Sequence, residues 1–374
     1  MKKICFVTAA RSEYGLLKWL MHDVQESPVM QLQLVVTGGH LLAEQGHTID
    51  QIIEDGFTPN AMVDVQLDTA TTERIAVSMG QMAEQFAPVF TRLQPDYLLV
   101  LGDRYELLPI CNTAFVMRIP IIHLSGGDVT EGAIDNGVRN AVTMLAKYHF
   151  PGTQDSAENI VRMRGSRENI WAVGEPGLDS FVREQLLGRQ ALAENLNLDM
   201  SSQWILLTYH AETQESLEYN MAAIHHCAAA LRQLKGYQVV ATYANADFGG
   251  RQINAYLEQL GRDKPQLFRI VPSLGHLRYL SFMKQAACVI GNSSSGIVEA
   301  PSLAIPVVNI GNRQKGRYQC GNIVQCDSSQ TGICAALRQA LQLKVKADDL
   351  DYWGNGHAAE RIVQILSGIL SREA

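Results

Sequence analysis

The chain has 374 residues, of which 47% are hydrophobic and 18% charged, and a net charge of −7. That length exceeds what one hydrophobic core usually serves, so two domains are expected, and the composition is that of a soluble globular protein. The acidic balance excludes an electrostatic footprint for nucleic acid or an anionic membrane surface, and no apolar run is long enough to span a bilayer.

Met1–Ala10 is apolar but runs straight into Arg11 and Glu13, so it reads as a first strand rather than a secretory signal. The seven cysteines are odd in number and lack metal-ligand spacing, which fits reduced thiols in a cytoplasmic protein. In chain order, strands are expected at Lys3–Ala9, Leu32–Thr37, Tyr97–Leu101, Ile119–Leu124, Tyr148–Pro151 and Ile170–Val173. A second set follows at Trp204–Thr208, Gln238–Thr242, Leu267–Ile270, Cys288–Ile290, Pro306–Asn309 and Asn322–Val324. Helical patterns lie between them at Tyr14–Gln25, Thr72–Leu93, Ala157–Arg164, Asn220–Leu234, Arg251–Gln259 and Leu277–Ala286. Strands that are apolar without alternation, separated by helices, indicate α/β units with parallel sheets buried on both faces. The more polar Gly177–Ser202 separates the two sets. The expected organisation is therefore two Rossmann-like doubly wound domains, 1–180 and 200–356, with an interdomain cleft and a final helix from 357 that packs back on the first domain.

Polar and charged residues collect just after the expected strands, where doubly wound sheets place ligands. Ile290-Gly-Asn-Ser-Ser-Ser-Gly-Ile-Val-Glu299 is the most informative case. A strand leading through Gly and Ser into a helix presents free backbone N–H groups and a positive dipole end, which suit a phosphate. Glu299, about one helical turn on, can accept bonds from the two hydroxyls of a ribose. Gly and Ser also make ordinary caps and turns, and a lone Asp103, Asp135, His40 or His210 is more often a cap or a hydrogen-bonded structural residue.

Four motifs in order resemble the UDP-N-acetylglucosamine 2-epimerase family over nearly the whole chain. They are Ala-Arg-Ser-Glu-Tyr-Gly at 10–15, Gly-Asp-Arg-Tyr-Glu at 102–106, Asn-Ser-Ser-Ser-Gly-Ile-Val-Glu at 292–299 and Gly-Asn-Arg-Gln-Lys-Gly-Arg at 311–317. The resemblance is to the hydrolysing branch, which serves sialic acid synthesis, and to relatives acting on 2,4-diacetamido-trideoxy sugars in legionaminic acid routes. The non-hydrolysing branch has threonines after the Gly-Asp and a Thr-Glu-Arg-Pro-Glu stretch where this chain has Arg313–Arg317. The family implies a glycosyltransferase-B-like architecture, homodimers or homotetramers, a nucleotide-sugar substrate and no metal. No nicotinamide is expected, since no Gly-x-Gly-x-x-Gly follows the first strand.

The resemblance also implies the chemistry and its residues. Breaking the C1–O bond to UDP makes the C2 proton removable, a glycal forms, and water adds to give the free 2-epimer. By position, Arg11, Arg104, Ser293, Ser294 and Arg317 surround the diphosphate and Glu299 meets the ribose, with Lys18, His40, Asn245 and Arg313 as further substrate contacts. Asp103, Asp135 and His210 match the family's catalytic positions. The chain departs from the pattern at Ser125, where several relatives have glutamate, at Asp128, where the hydrolysing branch has glutamate, and at Asn140, where histidine is usual. Asp128 and Glu131 are the candidates for the missing carboxylate. A glycosyltransferase of the same fold, a non-hydrolysing epimerase and a non-catalytic nucleotide-sugar sensor are the competing readings.

Overall fold

The apolar runs become parallel strands because both of their faces are covered by helices. The computed structural model describes residues 1–42, 48–65, 67–346 and 350–372. It falls into two units, Met1–Val129 with Ile134–Arg183 and Trp353–Ala374, and Glu184–Tyr352 with Thr130–Ala133.

The first unit holds β1 (Lys2–Thr8), α1 (Arg11–Gln25), β2 (Met30–Thr37), α2 (Ile49–Glu54), β3 (Ala61–Val63), α3 (Thr72–Leu93) and β4 (Tyr97–Leu101). It continues with α4 (Leu107–Val116), β5 (Ile121–Leu124), α5 (Asp135–Leu145), β6 (Tyr148–Phe150), α6 (Gln154–Arg164) and α7 (Asp179–Arg183). The sheet order is β3-β2-β1-β4-β5-β6 and every pairing is parallel, with Ile4 facing Leu32 on one side and Tyr97 on the other. This order reverses direction between β1 and β4, the switch point where such sheets take ligands. Helix α1 starts beside that point: the Glu13 carboxylate reaches back to the N–H groups of Ala9 (2.8 Å) and Ala10 (3.2 Å).

The second unit holds α8 (Arg189–Leu196), β7 (Gln203–Thr208), α9 (Leu217–Leu231), β8 (Tyr237–Thr242), α10 (Gly250–Asp263) and β9 (Phe268–Val271). It is completed by α11 (Gly275–Gln285), β10 (Cys288–Gly291), α12 (Ser294–Ser302), β11 (Val307–Ile310), β12 (Ile323–Cys326) and α13 (Gln330–Ala340). Its parallel sheet, β12-β11-β10-β7-β8-β9, repeats the first topology with the switch point between β7 and β10. Successive residues of β7 feed opposite layers: Ile205 and Leu207 pack with α9, α10 and α13, while Trp204 and Leu206 pack with α8, α11 and α12. Each such side chain contributes about 1.5–3 kcal/mol on burial.

The chain returns to the first unit at Trp353, and α14 (Ala358–Arg372) lays Ala359, Ile362, Leu366 and Leu370 into the core formed by β1, β4 and α1. The buried Asp179 carboxylate caps it, accepting from the N–H groups of Ala358 (2.9 Å) and Ala359 (2.7 Å). Among the described residues no helix is long and apolar enough to cross a membrane.

One expectation needs correction. Ile170–Val173 forms a single bridge to β6 through His149, not a strand, because Gly174 at φ 95° and Pro176 turn the chain away. The three-residue β3, with Met62 exposed, is too short to be read from sequence. Replacing Asp179 with alanine is expected to lower stability by about 1–2 kcal/mol, the usual loss for a helix cap, and to speed amide hydrogen exchange across 358–372. Unchanged exchange there would show that α14 does not depend on this cap.

Candidate active site

In the second unit the end of β10 is built around a glycine and an asparagine. Gly291 lies at φ 138°, and a Cβ there would sit 1.9 Å from the Thr208 carbonyl oxygen, so only glycine lets β10 run this close to β7. Asn292 then grips the backbone after β7: its Oδ1 accepts from the His210 N–H (2.7 Å) and its Nδ2 donates to the His210 carbonyl (2.9 Å). The Asn292 carbonyl in turn accepts from Gln314 Nε2 (2.9 Å) and Arg313 Nη1 (3.3 Å), which draws the 311–317 loop onto the same turn. Arg317 donates to Gln314 Oε1 at 3.3 Å. The His210 ring accepts the Asn245 N–H at Nδ1 (3.1 Å), so the neutral ring carries its proton on Nε2.

Ser293 caps α12 and Ser294 stands exposed at its first position. Glu299 is buried on the same helix, and its Oε2 has no hydrogen-bond partner among the described residues. Burial pushes this carboxyl up to about 7, against the pull of the Arg317 charge. Glu212, also raised to about 7 by burial, accepts from the Asn312 N–H (3.0 Å). Gly311, at φ 75°, must lack a side chain because a Cβ would meet Glu212 Oε1 at 1.9 Å. The arrangement offers a helix N-terminus, hydroxyls and two arginines to an anion, and an unpaired buried carboxylate oxygen to a diol.

In the first unit Arg139 has no exposed surface and gathers the acidic candidates. Its Nη2 donates to Asp103, which follows β4, and its Nη1 donates to the Asp128 carbonyl (3.0 Å). Burial works against its charge, but Asp103, Asp128 and Asp135 hold its pKa above arginine's ordinary value. Asp128 also accepts from Ser156 Oγ (2.9 Å), and Asp135 opens α5. His123, pushed down to about 4 by burial, donates from Nε2 to the Gly102 carbonyl (2.8 Å) and so fixes the turn that carries Asp103. Arg104 reaches Glu106 (3.0 Å) and lies over the Tyr105 ring.

The remaining expected residues have other surroundings or lie outside the described side chains. The His40 ring nitrogens are taken by Thr8 (2.9 Å) and Thr48 (2.8 Å), and burial lowers its pKa to about 3, which leaves no ring nitrogen for a ligand. Lys18 lies two turns along α1 and is ion-paired with Asp55 at 3.0 Å. Glu131 belongs to the second unit, where it pairs with Lys315 at an exposed position (3.1 Å). Arg11 begins α1, and its side chain lies outside the described residues. Sequence reasoning missed Asn292, Glu212, Gln314 and the role of Arg139. It also missed Glu175, whose carboxylate accepts from Ser125 Oγ at 2.6 Å beside Gly152, where a Cβ would lie 1.9 Å from Glu175 Oε1.

The family model for UDP-N-acetylglucosamine 2-epimerase matches residues 22–367. A Legionella pneumophila protein named UDP-N,N′-diacetylbacillosamine 2-epimerase (hydrolyzing) is 33% identical over 99% of this chain and 96% of its own length. A Campylobacter jejuni protein named GDP/UDP-N,N′-diacetylbacillosamine 2-epimerase (hydrolyzing) is 32% identical over 87% of this chain and 84% of its own. The Neisseria meningitidis UDP-GlcNAc 2-epimerase structure, solved bound to UDP-GlcNAc, shares the fold with a TM-score of 0.80 at 16% identity, covering 98% of this chain and 100% of that one.

Glu13, Glu212 and Glu299 all have pKa values raised by burial, to about 8, 7 and 7. A carboxyl whose folded pKa is raised contributes stability that is complete below its unfolded value and lost as pH rises through the folded one. The ligand-free protein is therefore expected to show a falling thermal midpoint from pH 5 to pH 8.5, with the fall reduced in Glu13→Gln. A midpoint that rises over this range, or a variant with the wild-type slope, would contradict the assignment.

Proposed function

The chain belongs to the UDP-N-acetylglucosamine 2-epimerase family, and from that membership we propose that it is a hydrolysing 2-epimerase converting a UDP-linked N-acetylated sugar and water to the free 2-epimer and UDP. The observation that carries this reading is the gathering of Ser293, Glu299, Arg313 and Arg317 around the β10–α12 turn, with a buried carboxylate oxygen left for the ribose. The first unit brings three carboxylates to one buried arginine, which suits proton transfer at the sugar. Hydrolysing relatives at 33% and 32% identity support release of free sugar, and their names favour a nucleotide-linked N,N′-diacetylbacillosamine over UDP-GlcNAc.

In this mechanism the C1–O bond breaks with its electron pair leaving on the diphosphate, whose growing charge is met by the α12 N-terminus, Arg313 and Arg317. Positive charge at C1 acidifies the C2 proton, which passes to a carboxylate of the Asp103, Asp128 and Asp135 group, and C1=C2 closes to a glycal. Water then adds, its hydroxyl to C1 and a proton to C2 from the opposite face. His210, with its proton on Nε2, can donate to a phosphate or sugar oxygen. Glu175 brings a carboxylate to the Ser125 position, where several relatives carry glutamate themselves.

Incubation with UDP-GlcNAc and with UDP-N,N′-diacetylbacillosamine, followed by NMR and nucleotide chromatography, should give free 2-epimer and UDP in equal amounts. A UDP-linked 2-epimer with no free sugar would refute hydrolysis. Asp103→Asn is expected to lower kcat by about 10²–10⁴-fold while UDP still binds. Glu299→Ala should instead weaken UDP binding by about 2–4 kcal/mol, and an unchanged affinity on titration calorimetry would overturn the ribose assignment.

A further inference from the structure

Five hydroxyls from four elements of the second unit form a continuous chain behind the β10–α12 turn. Thr242 ends β8, Thr208 ends β7, Tyr279 lies on α11, and Ser295 and Ser293 stand at the start of α12. The oxygen separations along the chain are 3.0 Å from Thr242 to Thr208, 3.1 Å from Thr208 to Tyr279, 2.6 Å from Tyr279 to Ser295 and 3.0 Å from Ser295 to Ser293.

Each hydroxyl has one proton, so the direction of one bond fixes the rest. Ser295 Oγ donates to Ser293 Oγ. With its proton committed there, Ser295 must accept from Tyr279, Tyr279 from Thr208, and Thr208 from Thr242. Ser293 Oγ also accepts the Ser295 N–H at 3.4 Å as the cap of α12, so its own proton stands at the head of a chain polarised in one direction. The Tyr279 oxygen lies within reach of Ser293, so without a ligand the last three hydroxyls can close on themselves. A phosphate oxygen is charged and is the stronger acceptor, so it draws the Ser293 proton outward. Burial raises the Tyr279 pKa, which keeps the phenol protonated and able to donate.

We propose that Tyr279 is a positioning residue for the phosphate end of the bound nucleotide, relaying the polarity of the Thr242–Thr208–Tyr279–Ser295 chain so that the Ser293 hydroxyl donates to a diphosphate oxygen. The relay also serves the reaction, because aligned hydrogen bonds polarise one another and the terminal donor strengthens as charge builds on the leaving diphosphate. The proposal rests on the reading of this turn as the diphosphate site.

The test compares UDP with uridine, which lacks the phosphates, by titration calorimetry on the full chain. Tyr279→Phe keeps the ring and removes only the relay. It is expected to weaken UDP binding about 5- to 20-fold, to leave uridine affinity within about twofold, and to lower kcat with little change in thermal midpoint. Thr208→Val, which cuts the chain one link earlier, should show the same selectivity with a smaller loss, and it decides the matter if Tyr279→Phe does not fold. Equal losses for UDP and uridine would mean a merely structural role and overturn the relay, as would an unchanged UDP affinity in both variants. Wild-type protein that fails to bind UDP would overturn the underlying nucleotide reading itself, an outcome distinct from either of these.

Discussion

The guanidinium of Arg139 is wholly buried, and the first unit's acidic groups are arranged around it. An unpaired buried charge costs several kcal/mol, and Asp103, Asp128 and Asp135 offset that cost and hold the guanidinium's pKa above its ordinary value. The dependence runs both ways. Without that cation, three crowded carboxylates would repel one another. From α5, Arg139 thereby ties the turn after β4 to the Gly126–Asp128 loop and the start of its own helix.

The second unit reaches a comparable fixity with neutral groups. Asn292 spends both ends of its amide on His210 and its carbonyl on Gln314 and Arg313. Two glycines, Gly291 and Gly311, allow backbone and carboxylate to approach where any Cβ would collide. The result is a turn whose donors are set before a ligand arrives, as electrostatic stabilisation of a leaving group requires. Burial keeps Glu212 and Glu299 close to neutrality in their protonation, so that ligand contact can change their charge.

Much of the fold was legible because parallel strands buried on both faces leave uninterrupted apolar runs, as at Tyr97–Leu101 and Trp204–Thr208. Helix α4 escaped notice since it is apolar on most of its surface and so lacks the periodicity that marks a half-exposed helix. Ser293, Ser294 and Glu299 could be read as a group because they follow one strand in one motif. Arg139, Glu175 and Tyr279 could not, because their partners come from distant segments and only the folded chain brings Ser125 to Glu175 or Ser295 to Tyr279. The partners of His40 were hidden too: position after a strand suggests a ligand contact, and only the folded chain shows Thr8 and Thr48 at its two ring nitrogens.

Removal of the C2 proton by the carboxylates around Arg139 is tested most directly by solvent isotope incorporation. Turnover in D2O, with the free sugar analysed by NMR and mass spectrometry, is predicted to give product carrying one deuterium at C2 in every molecule released. Product that retains its original hydrogen at C2 would contradict proton removal there, and the role assigned to the carboxylates around Arg139 with it.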